Sequence, residues 1–65
     1  ISVHSALMTL PAEQRSAVEA VDIQGLSVAG AARLLGIAEG TVKSRRARGR
    51  RRLADVLRDA APHPR

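Results

Sequence analysis

The sequence predicts an all-α fold, a small bundle of about four helices with a long C-terminal helix. Three observations lead to this prediction. The chain of 65 residues has no cysteine and no aromatic residue, so it can build only a small aliphatic core, which helices form well. Apolar residues recur at helical spacing between glycine and proline residues. An apolar stripe also runs through the arginine-rich stretch at residues 40–52 and continues beyond it.

The first predicted helix covers residues 2–9. Ser2 is a suitable N-cap, and Leu7 and Met8 are expected on the inner side of the helix. An isolated helix this short is marginal in water, so it must depend on packing against its neighbours.

The second predicted helix runs from Pro11 to about residue 23. Proline suits the first position of a helix, where its missing N–H needs no partner. The helix ends before Gly25, which can adopt the left-handed conformation that commonly follows a helix. Gln14 lies beside the apolar stripe of this helix, which consists of Leu10, Ala17, Val18 and Val21.

Two further helices follow, joined by a tight turn at residues 36–38. Ser27 is a good N-cap for the third helix, and Gly36 ends it. The apolar residues of this helix are Ala31, Ala32, Leu34 and Leu35. The fourth helix is predicted from Glu39, whose charge complements the helix dipole, to about Ala60.

Residues 40–52, GTVKSRRARGRRR, hold seven cations in thirteen residues. Such a run can be a disordered polycation or one face of a folded helix. At about 100° per residue, four residues fall within about 60° of Val42, namely Gly49, Leu53, Val56 and Leu57. The opposite face carries Ser44, Ala47, Arg48, Arg51 and Asp55, with Lys43, Arg50, Arg45 and Arg52 on its flanks. A disordered tract has no reason to keep its aliphatic residues in phase, so we expect a folded amphipathic helix.

The third and fourth helices match a helix-turn-helix at about residues 27–52. Ala32 is small where the two helices cross, Gly36 lies at the turn, and Val42 inserts the second of them into the core. We expect Gly49 to permit close contact between the fourth helix and the third. The alternative is a small α-bundle whose basic helix is only solvated.

The predicted domain spans residues 1–61, and the tail at residues 62–65, with two prolines and no periodicity, is expected to be disordered. Because the chain opens at Ile1 directly in helical sequence, we expect it to be one domain of a longer protein. No apolar run approaches the roughly 20 residues of a membrane span, and no signal peptide is recognisable. We therefore expect a soluble, cytoplasmic protein.

Charge is distributed very unevenly along the chain. Residues 1–42 carry a net charge of −2 and residues 43–65 a net charge of +7, a distribution typical of nucleic-acid binders. The lack of aromatic residues disfavours the modules that bind RNA or single strands by stacking.

The sequence has no nucleophile–base pair, no carboxylate dyad and no phosphate-binding glycine loop, and its two histidines, His4 and His63, are far apart. We therefore expect neither an enzyme nor a cofactor or metal site.

Positions 10–53, LPAEQRSAVEAVDIQGLSVAGAARLLGIAEGTVKSRRARGRRRL, resemble region 4, the C-terminal promoter-binding domain, of bacterial extracytoplasmic-function sigma factors. The resemblance covers about two-thirds of the chain and is most specific in the string GTVKSR at residues 40–45. Its other elements are Leu10-Pro11, Gln14-Arg15, Ala17, Gly25-Leu26-Ser27, Ala32, Leu35-Gly36, Arg48, Arg50 and Leu53. It implies that the last helix recognises the −35 element of double-stranded promoter DNA as part of the RNA polymerase holoenzyme.

The sequence departs from the pattern of this family at four positions. Gly30 replaces a glutamate that often completes a capping box, and Ala38 replaces a serine that often caps the last helix. Arg46 occupies a usually aliphatic position about 40° from Val42, so its stem is expected to pack while its guanidinium reaches solvent. Ala47 replaces a larger residue on the side that faces the groove, which affects the preferred promoter sequence.

The exposed face and the resemblance together predict the DNA contacts. The expected base-reading residues lie in the first turns of the last helix and are Lys43, Ser44, Ala47 and Arg48. Arg48 and Lys43 would bind guanine and Ala47 a thymine methyl group, and the alternative for each is a phosphate contact. The expected phosphate contacts are Ser27, Arg33, Thr41, Arg45, Arg50, Arg51 and Arg52. For Arg33, an exposed structural role is the alternative.

Two other functions fit parts of the sequence. The DNA-binding domain of LuxR-type response regulators shares the Gly-Leu-Ser and Thr-Val-Lys elements, but it usually has a histidine soon after the lysine. Ser44-Arg45 and Leu10-Pro11 favour the sigma factor. The second alternative is a protein-docking module, in which residues 1–26 bind the β-subunit flap of RNA polymerase or an inhibitory anti-sigma factor.

Overall fold

The structure, a computed structural model, describes residues 2–60. Within this range the chain forms four helices and no strand, which confirms the predicted all-α fold with a long C-terminal helix. The helices are α1 (Val3–Met8), α2 (Ala12–Val18), α3 (Val28–Leu35) and α4 (Glu39–Ala60), and a π-helical turn (Glu19–Ile23) continues α2. The predicted tail at residues 62–65 lies outside the described residues.

Serine side chains cap α1 and α3, as predicted. The Oγ of Ser2 accepts a hydrogen bond from the N–H of Ser5 at 3.1 Å, and the Oγ of Ser27 accepts one from the N–H of Gly30 at 3.0 Å. Pro11 is the N-cap of α2, so this helix begins one residue later than predicted. Each serine cap satisfies a backbone N–H that the first turn of the helix leaves unpaired, whereas Pro11 makes no side-chain cap hydrogen bond.

The turn between α3 and α4 depends on Gly36. This residue is left-handed, with φ of 69°, and its N–H and that of Ile37 both reach the carbonyl of Ala32. Ile37 also packs against the buried cluster that contains Ala32. This arrangement is the usual glycine-ended helix terminus, and it directs the chain into α4 within three residues.

The core consists of two clusters of small aliphatic side chains. The first contains Ala20, Ala31, Ala32 and Val42, and the second contains Leu7, Leu10 and Val18. The burial of Ala20 is not expected from the single stripe predicted for the second helix. It occurs because α2 and its π-helical turn contact α3 as well as α4, so they bury a wider surface than one neighbour would require.

Two large apolar side chains, those of Met8 and Leu34, are exposed. Met8 is 57% exposed, which corrects its predicted place on the inner side of α1. Ala6 and Leu7 take the buried positions of this helix, and the Sδ of Met8 lies over α2, 3.9 Å from an Nη of Arg15. Leu34 is 61% exposed, because α3 turns Ala31 and Ala32 inward.

Gly49 permits a close helix contact, but the contact is with α2. A Cβ at this position would lie 2.7 Å from Cγ2 of Val18 and 3.2 Å from the backbone oxygen of Gln14. The predicted contact with the third helix is therefore wrong. The wheel places Gly49 on the buried side of α4 but does not specify which neighbour that side meets.

Candidate nucleic-acid interface

The apolar seam of α4 is buried against the other helices, and this burial fixes the rotation of α4. Val42 is completely buried and Gly49 is buried against α2. The later seam residues Leu53, Val56 and Leu57 are half-buried. Val42 belongs to the first cluster, and Leu53 packs against the second, so the seam spans the whole core. The predicted amphipathic helix is confirmed.

The four predicted base-reading residues all lie on the solvent-exposed surface of α4. Lys43, Ser44, Ala47 and Arg48 are all exposed. The Oγ of Ser44 donates a hydrogen bond to the backbone oxygen of Gly40 at 3.0 Å. Since a hydroxyl has one hydrogen, Ser44 presents acceptor lone pairs to a ligand.

The predicted phosphate contacts fall into two groups. On α4, Arg50, Arg51 and Arg52 are exposed, and Thr41 and Arg45 are half-buried. At α3, Ser27 and Arg33 are exposed. The oxygen of Ser27 is the helix cap, which leaves its O–H free to donate.

The guanidinium of Arg46 leaves the core, as expected, but at the surface it is bound to another side chain of the protein. Its Nε and Nη2 donate to the two carboxylate oxygens of Asp22 at 2.8 and 2.7 Å. The side chains of Arg46 and Asp22 are 31% and 29% exposed. This pair joins the π-helical turn to α4, and the separation of 24 positions along the chain explains why helical spacing gave no signal for it.

The Asp22–Arg46 pair also changes the charge properties of this region. The hydrogen bond from Arg46 lowers the pKa of Asp22 below its usual value, partial burial opposes that change, and the charges of Arg46 and Arg50 reinforce it. The other six cations of the basic stretch, Lys43, Arg45, Arg48, Arg50, Arg51 and Arg52, form no ion pair with any described residue. These six charges are therefore available to an external anion.

Over residues 2–60, no group of three or more histidine or acidic side chains is placed to hold a metal ion. None of the helices in this range combines the length and the apolar character that crossing a bilayer requires.

Comparison with known proteins agrees with this geometry. The family model described as sigma-70, region 4 matches residues 1–53. The ECF RNA polymerase sigma factor SigM of Mycobacterium tuberculosis, in strains Erdman and H37Rv, is 67% identical over 57 residues. The ECF RNA polymerase sigma factor SigE of Mycolicibacterium smegmatis is 47% identical over 55 residues.

These alignments cover most of the chain and a small part of each relative. They include 88% of this chain and 29% of SigM, and 85% of this chain and 21% of SigE. The family match decides against the LuxR-type alternative. The all-helical fold, the outward-facing basic helix and the match over residues 1–53 together show that the chain belongs to the sigma-70 region 4 family, as found in extracytoplasmic-function sigma factors.

Proposed function

We propose that the chain binds the −35 promoter element as the C-terminal DNA-binding domain of an extracytoplasmic-function sigma factor and so directs RNA polymerase to its promoters. The observation that carries this proposal is the orientation of α4. Val42 and Gly49 face inward, and Lys43, Ser44, Ala47 and Arg48 face solvent on the same helix. The names of the relatives, which are RNA polymerase sigma factors, support the same role.

The first half of α4 fits the major groove. The groove is about 12 Å wide, which matches the diameter of about 10–12 Å of a helix with its side chains. Arg48 and Lys43 donate to O6 and N7 of guanine, and Ala47 contacts a thymine methyl group. Ser44, as an acceptor, suits the amino group of adenine or cytosine.

The remaining cations hold the helix in register on the DNA. Thr41, Arg45, Arg50, Arg51 and Arg52 contact phosphates beside the groove, and Ser27 and Arg33 contact the backbone from α3. Such contacts contribute affinity without sequence information, and they make binding depend strongly on salt. A single small module of this kind binds weakly alone, so the rest of the protein contributes to promoter selection.

A second role, docking on protein, is supported by the exposed apolar side chains. Val3, Met8, Ile23 and Leu34 are each more than half exposed. We propose the β-subunit flap of RNA polymerase as the main partner and an anti-sigma factor as a further one, in the cytoplasm. A pull-down with the isolated flap, compared with a DNA gel shift, separates docking from DNA binding.

A selection from random duplexes tests the DNA assignment. The 65-residue chain is expected to enrich one short motif that contains guanine, and Arg48→Ala is expected to lose that enrichment. Arg58→Ala is a matched control, because Arg58 is paired with Asp55 beyond the recognition turns. Enrichment of no motif by the wild-type chain would contradict sequence-specific recognition.

A further inference from the structure

A cleft of about 250 Å³ opens between α2 and the middle of α4, on the side of α4 next to its base-reading face. It is lined by Gln14, Arg48, Arg51, Arg52 and Asp55. The two helices approach closely at Gly49, next to Arg48 in the sequence. The backbone oxygen of Gln14 lies 3.2 Å from the place a Cβ of Gly49 would occupy, so the side chain of Gln14 emerges beside the arginines of α4.

The amide of Gln14 is placed unusually for a polar group. Its Oε1 is buried and has no hydrogen-bond partner among the described residues. A buried acceptor without a partner reduces stability, and an anion, which has no hydrogen to donate, would not pair with it. With Oε1 turned inward, the end of the amide that remains for a ligand is Nε2, which has two hydrogens to donate.

The chemistry of the cleft is that of an anion site. Arg48, Arg51 and Arg52 are donors only, and the amide nitrogen of Gln14 adds a donor from a different helix. None of these arginines forms an ion pair with a described residue. Asp55, at the same cleft, is bound to Arg58 and is the one described acidic side chain in the lining.

We propose that this cleft binds one phosphate of the DNA backbone beside the major groove, with Gln14 as a phosphate contact and Asp55 as the residue that limits the strength of the site. This inference rests on the proposed DNA-binding function and adds a contact from α2. Gln14 on α2 and Arg51 and Arg52 on α4 then hold the phosphate from two sides, with Arg48 left to the bases, so the contact fixes α4 along the groove as well as attracting DNA. Asp55 repels the neighbouring phosphate, which restricts the register.

The variant Gln14→Met tests the contact from α2. Methionine has a similar length and is apolar, so it removes both the donor and the unpartnered Oε1, and the folded chain is expected to be at least as stable as the wild type. Duplex affinity is expected to fall roughly three- to tenfold, equally for matched and mismatched sequences, since a phosphate contact carries no sequence information. Gln24→Met is the matched control, because Gln24 is exposed at the far end of the π-helical turn and lines no part of the cleft.

The variant Asp55→Asn tests the limiting charge. It is expected to raise duplex affinity by about two- to fivefold at low salt, an advantage that diminishes as screening increases. Asp59→Asn removes the same charge one turn later on α4, outside the cleft, and is expected to have a smaller effect.

Neutral methylphosphonate linkages placed one at a time in the duplex locate the phosphate. Affinity of the wild type is expected to fall most at one position, and Gln14→Met, which keeps only the arginine contacts there, is expected to lose less affinity than the wild type on that modified duplex. Unchanged duplex affinity of Gln14→Met, or a loss equal to that of Gln24→Met, would overturn the proposal.

Titration with inorganic phosphate tests whether the cleft binds a free anion instead of a DNA phosphate. If added phosphate shifts the NMR signals of the cleft residues while Gln14→Met leaves DNA affinity intact, the cleft binds a free anion and the DNA assignment is wrong.

Failure of the proposed function gives a different pattern. If the wild type enriches no motif but Gln14→Met still weakens binding to a random duplex, the cleft proposal stands and sequence-specific recognition does not. If the motif is enriched and Gln14→Met has no effect, only the cleft proposal fails.

Discussion

Gly49 determines how close α4 lies to α2, because a side chain at this position has no room. A Cβ would meet Val18 and the backbone of Gln14, and a backbone atom cannot move aside as a flexible side chain can. Glycine inside a helix is ordinarily unfavourable by about 1 kcal/mol relative to alanine. The close approach of the two backbones outweighs this preference.

Gly49→Ala is therefore expected to destabilise the chain even though alanine favours helix. Overpacking of this kind typically costs about 1–3 kcal/mol and the better helix propensity of alanine recovers about 1 kcal/mol, so we expect a net loss of up to about 2 kcal/mol in the free energy of unfolding. Thermal unfolding followed by circular dichroism measures it. Gly40→Ala is the control, because nothing lies within 4 Å of a Cβ there, and it is expected to leave stability unchanged or raise it. Equal stabilisation by both variants would show that α2 and α4 are not in close contact at Gly49.

At the scale of elements, the rotation of α4 is set by packing on one side and by an ion pair on the other. Val42 and Gly49 bury the seam, and Arg46 binds the carboxylate of Asp22 on the π-helical turn with two hydrogen bonds. A bidentate contact of this type fixes the relative orientation of the two side chains better than a single hydrogen bond does. The pair thus helps keep the basic face of α4 turned away from the core.

The Asp22–Arg46 pair predicts a specific dependence of stability on pH. Because the folded-state pKa of Asp22 lies below its unfolded value of about 3.9, the pair stabilises the fold fully above about pH 5. This contribution is lost as the pH falls through the unfolded value towards the folded one. Asp22→Asn is therefore expected to be less stable than the wild type at pH 6, with a smaller difference at pH 3.

Chemical unfolding of the wild type and Asp22→Asn at several pH values measures this difference, and Asp59→Asn serves as the control for removal of a carboxylate on α4. A difference between wild type and Asp22→Asn that stays constant from pH 6 to pH 3 would contradict the stabilising role of the pair.

At the scale of the whole molecule, the N-terminal helices form most of the core against which α4 packs, and α4 carries most of the positive charge. The first 42 residues have a net charge of −2, and the remainder has +7. Of the seven cations in residues 40–52, one is used to hold α4 in place, and six are without an ion-pair partner among the described residues. Such a concentrated field attracts DNA before any specific contact forms.

Much of this organisation could be predicted from the sequence, because local signals specify it. The caps at Ser2 and Ser27, the turn at Gly36 and the seam of α4 each follow from residue type and spacing within a short segment. The exposed placement of the base-reading residues follows from the same seam. Their individual roles on DNA stay predictions.

The contacts between distant segments could not be predicted. Gly49 against α2, Arg46 on Asp22 and the cleft at Gln14 all depend on how two helices cross, and the periodicity of a single helix does not contain that information. Each of these contacts joins α4 to the second helical segment. The spacing of apolar residues along α4 predicted which side of the helix is buried, but it did not predict which helix that side packs against.

Binding titrations of Arg48→Ala and Arg51→Ala on matched and mismatched duplexes, at several salt concentrations, test the account most directly. Arg48→Ala is expected to lose discrimination at one base pair, where a good contact contributes about 1–3 kcal/mol. Arg51→Ala is expected to weaken binding to all sequences similarly and to reduce the slope of log affinity against log salt by about one. Equal loss of discrimination in both variants, or none in either, would contradict a basic helix that presents one fixed face to the bases.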